Sequence, residues 1–306
     1  MNKILFLAVA LLIITAAACT QTGETSTQQP AGGSAADLMN QILQRGYIII
    51  STDPNYEPQS FLNPEGLRPE ETLCPEDTLT ATEMQGFDVD VAVEISNRLG
   101  VEICFATPDW DLLVAGNWAD EWDMSVGSMT AKPPRPDFLD FTRPYYAVDA
   151  VIAVSLDSTC NTIDDLAGAT LCVGAETTYQ DWLNGTLVLD PADIYTQPPA
   201  SVTAFSLDTD QECALAVDVG RTEFAGYVTA RTVVESNLAA GMSVRILGEP
   251  VFSEKNRVAF DKSSSLDTTS LRETVDQILK DMQDDGTLAT LSLQWFGSDL
   301  TQNLGE

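Results

Sequence analysis

From Leu38 onward, short apolar runs rich in β-branched residues alternate with stretches whose apolar side chains recur at helical spacing. Such alternation points to a parallel α/β sheet wrapped by helices. Leu38–Gln44 reads as a short helix, and residues 45–52, carrying Tyr47-Ile48-Ile49-Ile50, as a buried strand opening into a loop. Pro54 and Pro58 exclude a helix over that loop, Asp53–Pro58. Asn63–Gln85 is polar, holds Cys74 and looks like an inserted loop. Asp88 is placed to cap a helix with Val89, Ala92, Val93 and Leu99 on one face, ended by Gly100. Val101–Phe105 then predicts a strand, Trp110–Ala115 a helix, and Trp122–Gly127 a strand that enters a loop at Ser128.

A second round follows. Ala150–Val154, Leu171–Gly174 and Phe224–Thr229 predict strands. Thr162–Leu166, Thr177–Leu183 and Asp210–Asp218 predict helical turns or helices between them. A last amphipathic helix places Leu271, Val275, Ile278, Leu279 and Met282 on one face before Gly286, and Leu288–Phe296 closes the chain. No constant period relates the rounds, so the expectation is two similar α/β halves.

The N-terminus carries a different signal. Lys3 precedes an apolar run, Ile4–Ile14, far short of the roughly 20 residues a membrane span needs. With Thr15-Ala16-Ala17-Ala18 behind it, the run reads as a secretory signal. Small residues directly before Cys19 fit a lipoprotein processing site, with Cys19 acylated and residues 1–19 as the signal; ordinary cleavage after an A-x-A site is the alternative. Residues 20–37, rich in Thr, Gln, Ser, Gly and Ala, bury too little to offset their ordering entropy and are expected to form a flexible tether. Roughly 270 residues remain, enough for two lobes with separate cores.

A formal charge of −31 repels phosphate backbones, which argues against nucleic-acid binding. With no histidine and no CxxC pair, neither a zinc site nor any other metal or cofactor is expected. The remaining cysteines suit disulfides in an oxidising, extracytoplasmic compartment. Cys74 with Cys104 is the expected first bridge. One further pair is expected among Cys160, Cys172 and Cys213; the sequence leaves that pair open, with Cys172 and Cys213 our working choice.

Taken together, several stretches resemble the bacterial extracellular solute-binding proteins of the polar amino acid type, family 3. They are Thr52-Asp53-Pro54-Asn55-Tyr56-Glu57-Pro58, Gly86-Phe87-Asp88-Val89-Asp90, Trp110-Asp111-Leu112-Leu113 and residues 122–130, ending Gly127-Ser128-Met129-Thr130. Arg135, Asp140-Phe141-Thr142-Arg143-Pro144-Tyr145-Tyr146, Asp165-Leu166-Ala167-Gly168, Thr177-Thr178, Asp285-Gly286-Thr287-Leu288 and Gln294-Trp295-Phe296-Gly297 follow in the family's order. The resemblance implies a type II periplasmic-binding-protein fold, two α/β lobes joined by a two-strand hinge that close on a ligand. Lobe one would comprise residues 38–149 and 255–306 and lobe two residues 150–254, with crossings near Tyr146–Ala150 and Ser253–Val258. It further implies a monomer, lipid-anchored to the membrane, that delivers a small amino acid or organic acid to an ABC permease.

The resemblance also assigns roles. Arg135 would hold a ligand carboxylate, for which its planar fork of donors is suited. Ser128 and Thr130 would complete that pocket, Thr177 and Thr178 would contribute from the second lobe, and Tyr56 would pack over the ligand. Asp53 and Trp110 are further candidates; a turn and a core position are their plainer roles. The sequence departs from the family at Ala230, where an aspartate normally binds the α-amino group, and a charge-assisted bond worth about 1.5–3 kcal/mol is lost. Lys132 replaces a threonine and Glu176 a glycine. Glu176 could receive an ammonium group instead; alternatively, Lys132 with Arg135 could grip a dicarboxylate. Absence of histidine, of GxSxG and of a phosphate-cradling loop argues against an enzyme, although some periplasmic dehydratases share this fold. A ligand sensor for a membrane receptor is the other alternative.

Overall fold

The computed structural model describes residues 36–302 and 304; Cys19, the apolar run before it and nearly all of the expected tether lie outside them. The first half contains α1 (Leu38–Arg45), β1 (Tyr47–Ser51), β2 (Asn55–Tyr56), β3 (Ser60–Leu62), β4 (Leu79–Thr80), β5 (Met84–Gln85), α2 (Phe87–Leu99), β6 (Glu102–Ala106), α3 (Trp110–Ala115), β7 (Met124–Thr130) and α4 (Arg135–Phe138). After it come β8 (Leu139–Ser155), β9 (Thr170–Gly174), α5 (Thr178–Leu183), β10 (Thr203–Leu207), α6 (Asp210–Asp218), β11 (Gly226–Ala230) and α7 (Arg231–Ala239). The chain ends with β12 (Val244–Asp261), α8 (Thr269–Asp284) and α9 (Thr287–Phe296). Among these described residues no helix is long and apolar enough to cross a membrane.

Nine strands form one sheet in the order β10-β9-β11-β8-β12-β7-β1-β6-β4. β1 runs parallel to β6 and β7 on one side, and β9 parallel to β10 and β11 on the other. Between these parallel sets lie β8 and β12, antiparallel to each other, paired from Val244↔Ser155 to Asp261↔Leu139 with register shifts on the way. This is the type II periplasmic-binding-protein arrangement of two α/β lobes joined by two long strands. The strand expected at Ala150–Val154 is only the last part of the 17-residue β8. Neither β10, α7 nor the full length of β12 was anticipated from the sequence.

Packing explains the element boundaries. α2 begins at Phe87 with Gly86 as its N-cap at φ +130, where a Cβ would lie 2.3 Å from the Gln59 carbonyl oxygen. Asp88 is therefore not the cap: it sits one residue inside the helix, fully buried. Phe87 and Phe296 lie against Tyr145 and Tyr146 of β8, so aromatic packing fixes the place where that strand leaves the first lobe. On α8 the buried residues are Leu271, Val275, Ile278, Leu279 and Met282, the stripe read from the sequence. Cys74–Cys104 ties the 63–85 segment to β6, and Cys172–Cys213 ties β9 to α6, leaving Cys160 as the free thiol among the described residues.

Candidate ligand-binding site

Parallel strands present their C-terminal ends to one region of the molecule, where ligands of open α/β sheets characteristically bind. Asp53, Asn55 and Tyr56 follow β1, and Trp110 opens α3 after β6. Arg135 starts α4 after β7; Thr177 caps α5 after β9; Asp208, Thr209 and Asp210 follow β10; Glu254 belongs to β12. Together with Gly127, Ser128, Gly174, Thr178 and Tyr179 they enclose an inner chamber of about 50 Å³. An outer chamber of about 280 Å³ shares Asp53, Asn55, Trp110, Asp208 and Thr209 with it.

Arg135 spans the cleft. Its Nη1 donates to the Thr130 carbonyl at 3.0 Å and its Nη2 to the Glu176 carbonyl at 2.8 Å, while the guanidinium lies 5.2 Å from the Trp110 ring centre. Its Nε is buried without a partner. Burial pulls its pKa down to about 10, opposed chiefly by Glu254, so it stays charged at neutral pH. Two lone aromatic hydroxyls also meet across the cleft, Tyr56 and Tyr179 at 3.0 Å.

Every other charged side chain in the wall is a carboxyl: Asp53, Asp208, Asp210 and Glu254. Asp210 accepts from the Gly174 N–H at 2.9 Å and Thr229 Oγ1 at 2.8 Å, and burial still raises it to about 7. Glu254 Oε2 accepts from Thr178 Oγ1 at 2.6 Å and Thr130 Oγ1 at 3.0 Å; burial raises it as well. Behind the wall, Asp88 accepts from Ser128 Oγ at 2.6 Å and Tyr145 OH at 2.7 Å and is also raised, by burial, to about 7.

Of the residues named from the sequence, Asp53, Tyr56, Trp110, Ser128, Arg135, Thr177 and Thr178 line the inner chamber. Ser128, at φ +55, turns its hydroxyl to Asp88 and Tyr146, so here that group is engaged by the framework. Thr130, Lys132 and Glu176 are not part of the wall. Thr130 hydroxyl goes to Glu254 and its carbonyl to Arg135; Lys132 is buried in an ion pair with Asp181 of α5 at 2.5 Å. Glu176, at φ +58, leaves its side chain exposed and offers only its carbonyl. Unforeseen wall residues are Asn55, Gly127, Gly174, Tyr179, Asp208, Thr209, Asp210 and Glu254. Asp210 opens a helix that the sequence predicts, and the capping box there, Thr209 as cap and Glu212 closing it, marks structure and gives no sign of a site.

A family model for bacterial extracellular solute-binding proteins, family 3, matches residues 48–298. The chain belongs to that family. Within it, the chain is 26% identical over 267 residues to the L-cystine-binding protein TcyJ of Escherichia coli K12, covering 87% of this chain and 88% of that one. It is 25% identical over 302 residues to the L-cystine-binding protein TcyA of Bacillus subtilis 168, covering 97% of each. Among solved structures, the ancestral amino acid-binding protein AncCDT-1, a precursor of cyclohexadienyl dehydratase, aligns with a TM-score of 0.67 at 23% identity. That alignment covers 84% of this chain and 99% of the other, and at this identity it speaks for the fold. This family 3 protein is the solute-binding component of an ABC importer, and its cleft is where the solute is to be sought.

Proposed function

We propose that the protein captures a free amino acid between its lobes, Arg135 holding the α-carboxylate, and hands it to a membrane permease. Lobe one comprises residues 38–149 and 255–306 and lobe two residues 150–254 in this reading. Asp53, Tyr56, Trp110, Thr177 and Thr178 complete the contact surface, and Cys19 tethers a monomer to the outer face of the membrane. In this reading binding occurs without turnover, and the relatives matched above are named for binding alone.

One observation carries the reading: a buried guanidinium with an unpartnered Nε stands in a chamber whose other charged side chains are all carboxyls. A single cation suits one ligand carboxylate, while Asp53, Asp210 and Glu254 disfavour a second one. The dicarboxylate alternative required Lys132, whose ammonium is already paired with Asp181. Calorimetry and thermal shift with the standard L-amino acids, L-cystine and a set of dicarboxylates test the reading. An amino acid at a hundred times its Kd is expected to stabilise the protein by about 2.7 kcal/mol, roughly 5–10 °C in Tm, and to be recovered unchanged. Stabilisation by dicarboxylates alone would refute it.

A further inference from the structure

We propose that Glu254 reads the ligand's ammonium group and thereby couples charge recognition to lobe closure; this assignment rests on the amino-acid reading above. Glu254 lies on β12, one of the two strands that join the lobes, and is 5% exposed. Its Oε2 takes both hydroxyl bonds, one from Thr130 of β7 and one from Thr178 of α5. Tyr179 of α5 stands beside the carboxylate as a third hydroxyl donor, and a carboxylate, with about four acceptor sites on its two oxygens, keeps room for one donor more.

Across the same chamber, Arg135 spends both Nη atoms on backbone carbonyls and keeps Nε unpartnered. A buried carboxylate with acceptor capacity to spare and a buried guanidinium with an uncommitted N–H are the complement of a solute carrying an ammonium and a carboxylate. The other wall carboxyls are less suited: Asp53 is less deeply buried than Glu254 and its Oδ1 accepts from the Asn55 N–H at 2.7 Å within its own loop. Both oxygens of Asp210 already hold the framework through Gly174 and Thr229, and Asp208 is exposed at the rim. Because Glu254 is hydrogen-bonded to both lobes, an ammonium that keeps it ionised strengthens both hydroxyl bonds and favours the closed arrangement.

The test compares wild type with Glu254→Gln by titration calorimetry, using each standard L-amino acid and L-cystine beside its desamino counterpart. Glutamine keeps an oxygen acceptor for Thr130 and Thr178 and removes the charge. For an amino acid bound by wild type, affinity is expected to fall about 10- to 150-fold in Glu254→Gln, while affinity for the desamino acid is unchanged or rises. Glu254→Asp, which keeps the charge, is expected to lose less. Unliganded Glu254→Gln deprives the buried Arg135 guanidinium of its chief opposing charge and is expected to melt somewhat lower than wild type. The two ligands are therefore compared on the folded variant, at a temperature below its transition. Unchanged amino-acid affinity, or equal losses for both ligands, overturns the assignment alone. A wild type that binds no amino acid overturns it together with the functional reading.

Discussion

Acidification is expected to stabilise the unliganded protein, against the usual behaviour of a carboxylate held in ion pairs. Asp88 and Asp210 are buried without a cationic partner, their hydrogen bonds coming from neutral donors, and burial raises each from 3.8 to about 7. In the unfolded chain both ionise near 3.9. The folded state therefore holds protons that the unfolded state releases. The stability this contributes is complete below pH 4 and is lost as pH rises through about 7. By linkage, each carboxyl alone removes roughly 2–3 kcal/mol between pH 5 and pH 8, and the pair about 5 as an upper limit. Self-repulsion from the −31 net charge acts in the same direction. Urea unfolding of the unliganded chain at pH 5, 6, 7 and 8 reads the effect directly, with midpoints falling as pH rises. Asp88→Asn removes one of the two titrations while keeping an acceptor for Tyr145, so about half of the pH dependence should disappear. A stability that is flat or climbs from pH 5 to 8, or an Asp88→Asn slope equal to wild type, would refute the reasoning.

Two further substitutions probe separate links. Arg135→Lys keeps the charge but replaces the two-pronged grip on Thr130 and Glu176 by a single flexible ammonium, so amino-acid affinity measured by calorimetry should fall at least about 100-fold. Replacing Cys172 and Cys213 together by alanine opens a cross-link over 41 residues, for which chain entropy gives a loss of about 4 kcal/mol. Urea midpoints of the double variant should drop accordingly, whereas alkylating the free Cys160 thiol should leave them unchanged.

Regular elements were legible wherever apolar spacing is strict. The α8 stripe and the strands β1, β6 and β9 are apolar runs bounded by turns, and burial selects the same residues that periodicity does. The long strands were not legible at full length because their middles are polar. β8 contains Asp140, Arg143, Pro144 and Asp149, and β12 contains Glu254, Lys255, Asn256 and Arg257. Their extension comes from pairing with each other, a long-range property that no local pattern encodes. β10 is an edge strand with alternating exposure, too weakly apolar to stand out. Asp88 read as a cap because a carboxylate near a helix start usually faces water; here Gly86 must take that place, and the carboxyl turns inward to Ser128 and Tyr145.

Charge at the site follows the fold more than the motif. Read along the chain, Lys132 and Glu176 are departures that add one positive and one negative charge to the pocket, and Ala230 removes a negative one. In space, Lys132 is neutralised by Asp181 on the facing lobe, and Glu176 keeps its carboxylate in solvent while its carbonyl orients Arg135. Ala230 ends β11 as the cap of α7, away from the chamber wall. The negative charge withheld there returns from residues that no linear motif flags: Asp210 at the start of α6 and Glu254 in the middle of β12. In sequence, Glu254 stands in Ser253-Glu254-Lys255-Asn256-Arg257, which has the composition of an exposed segment. It is buried because β12 passes between the lobes at that point, and a carboxylate at the crossing touches both of them. A solute that satisfies Glu254 and Arg135 together bridges the chamber, so recognition and closure depend on the same pair of charges.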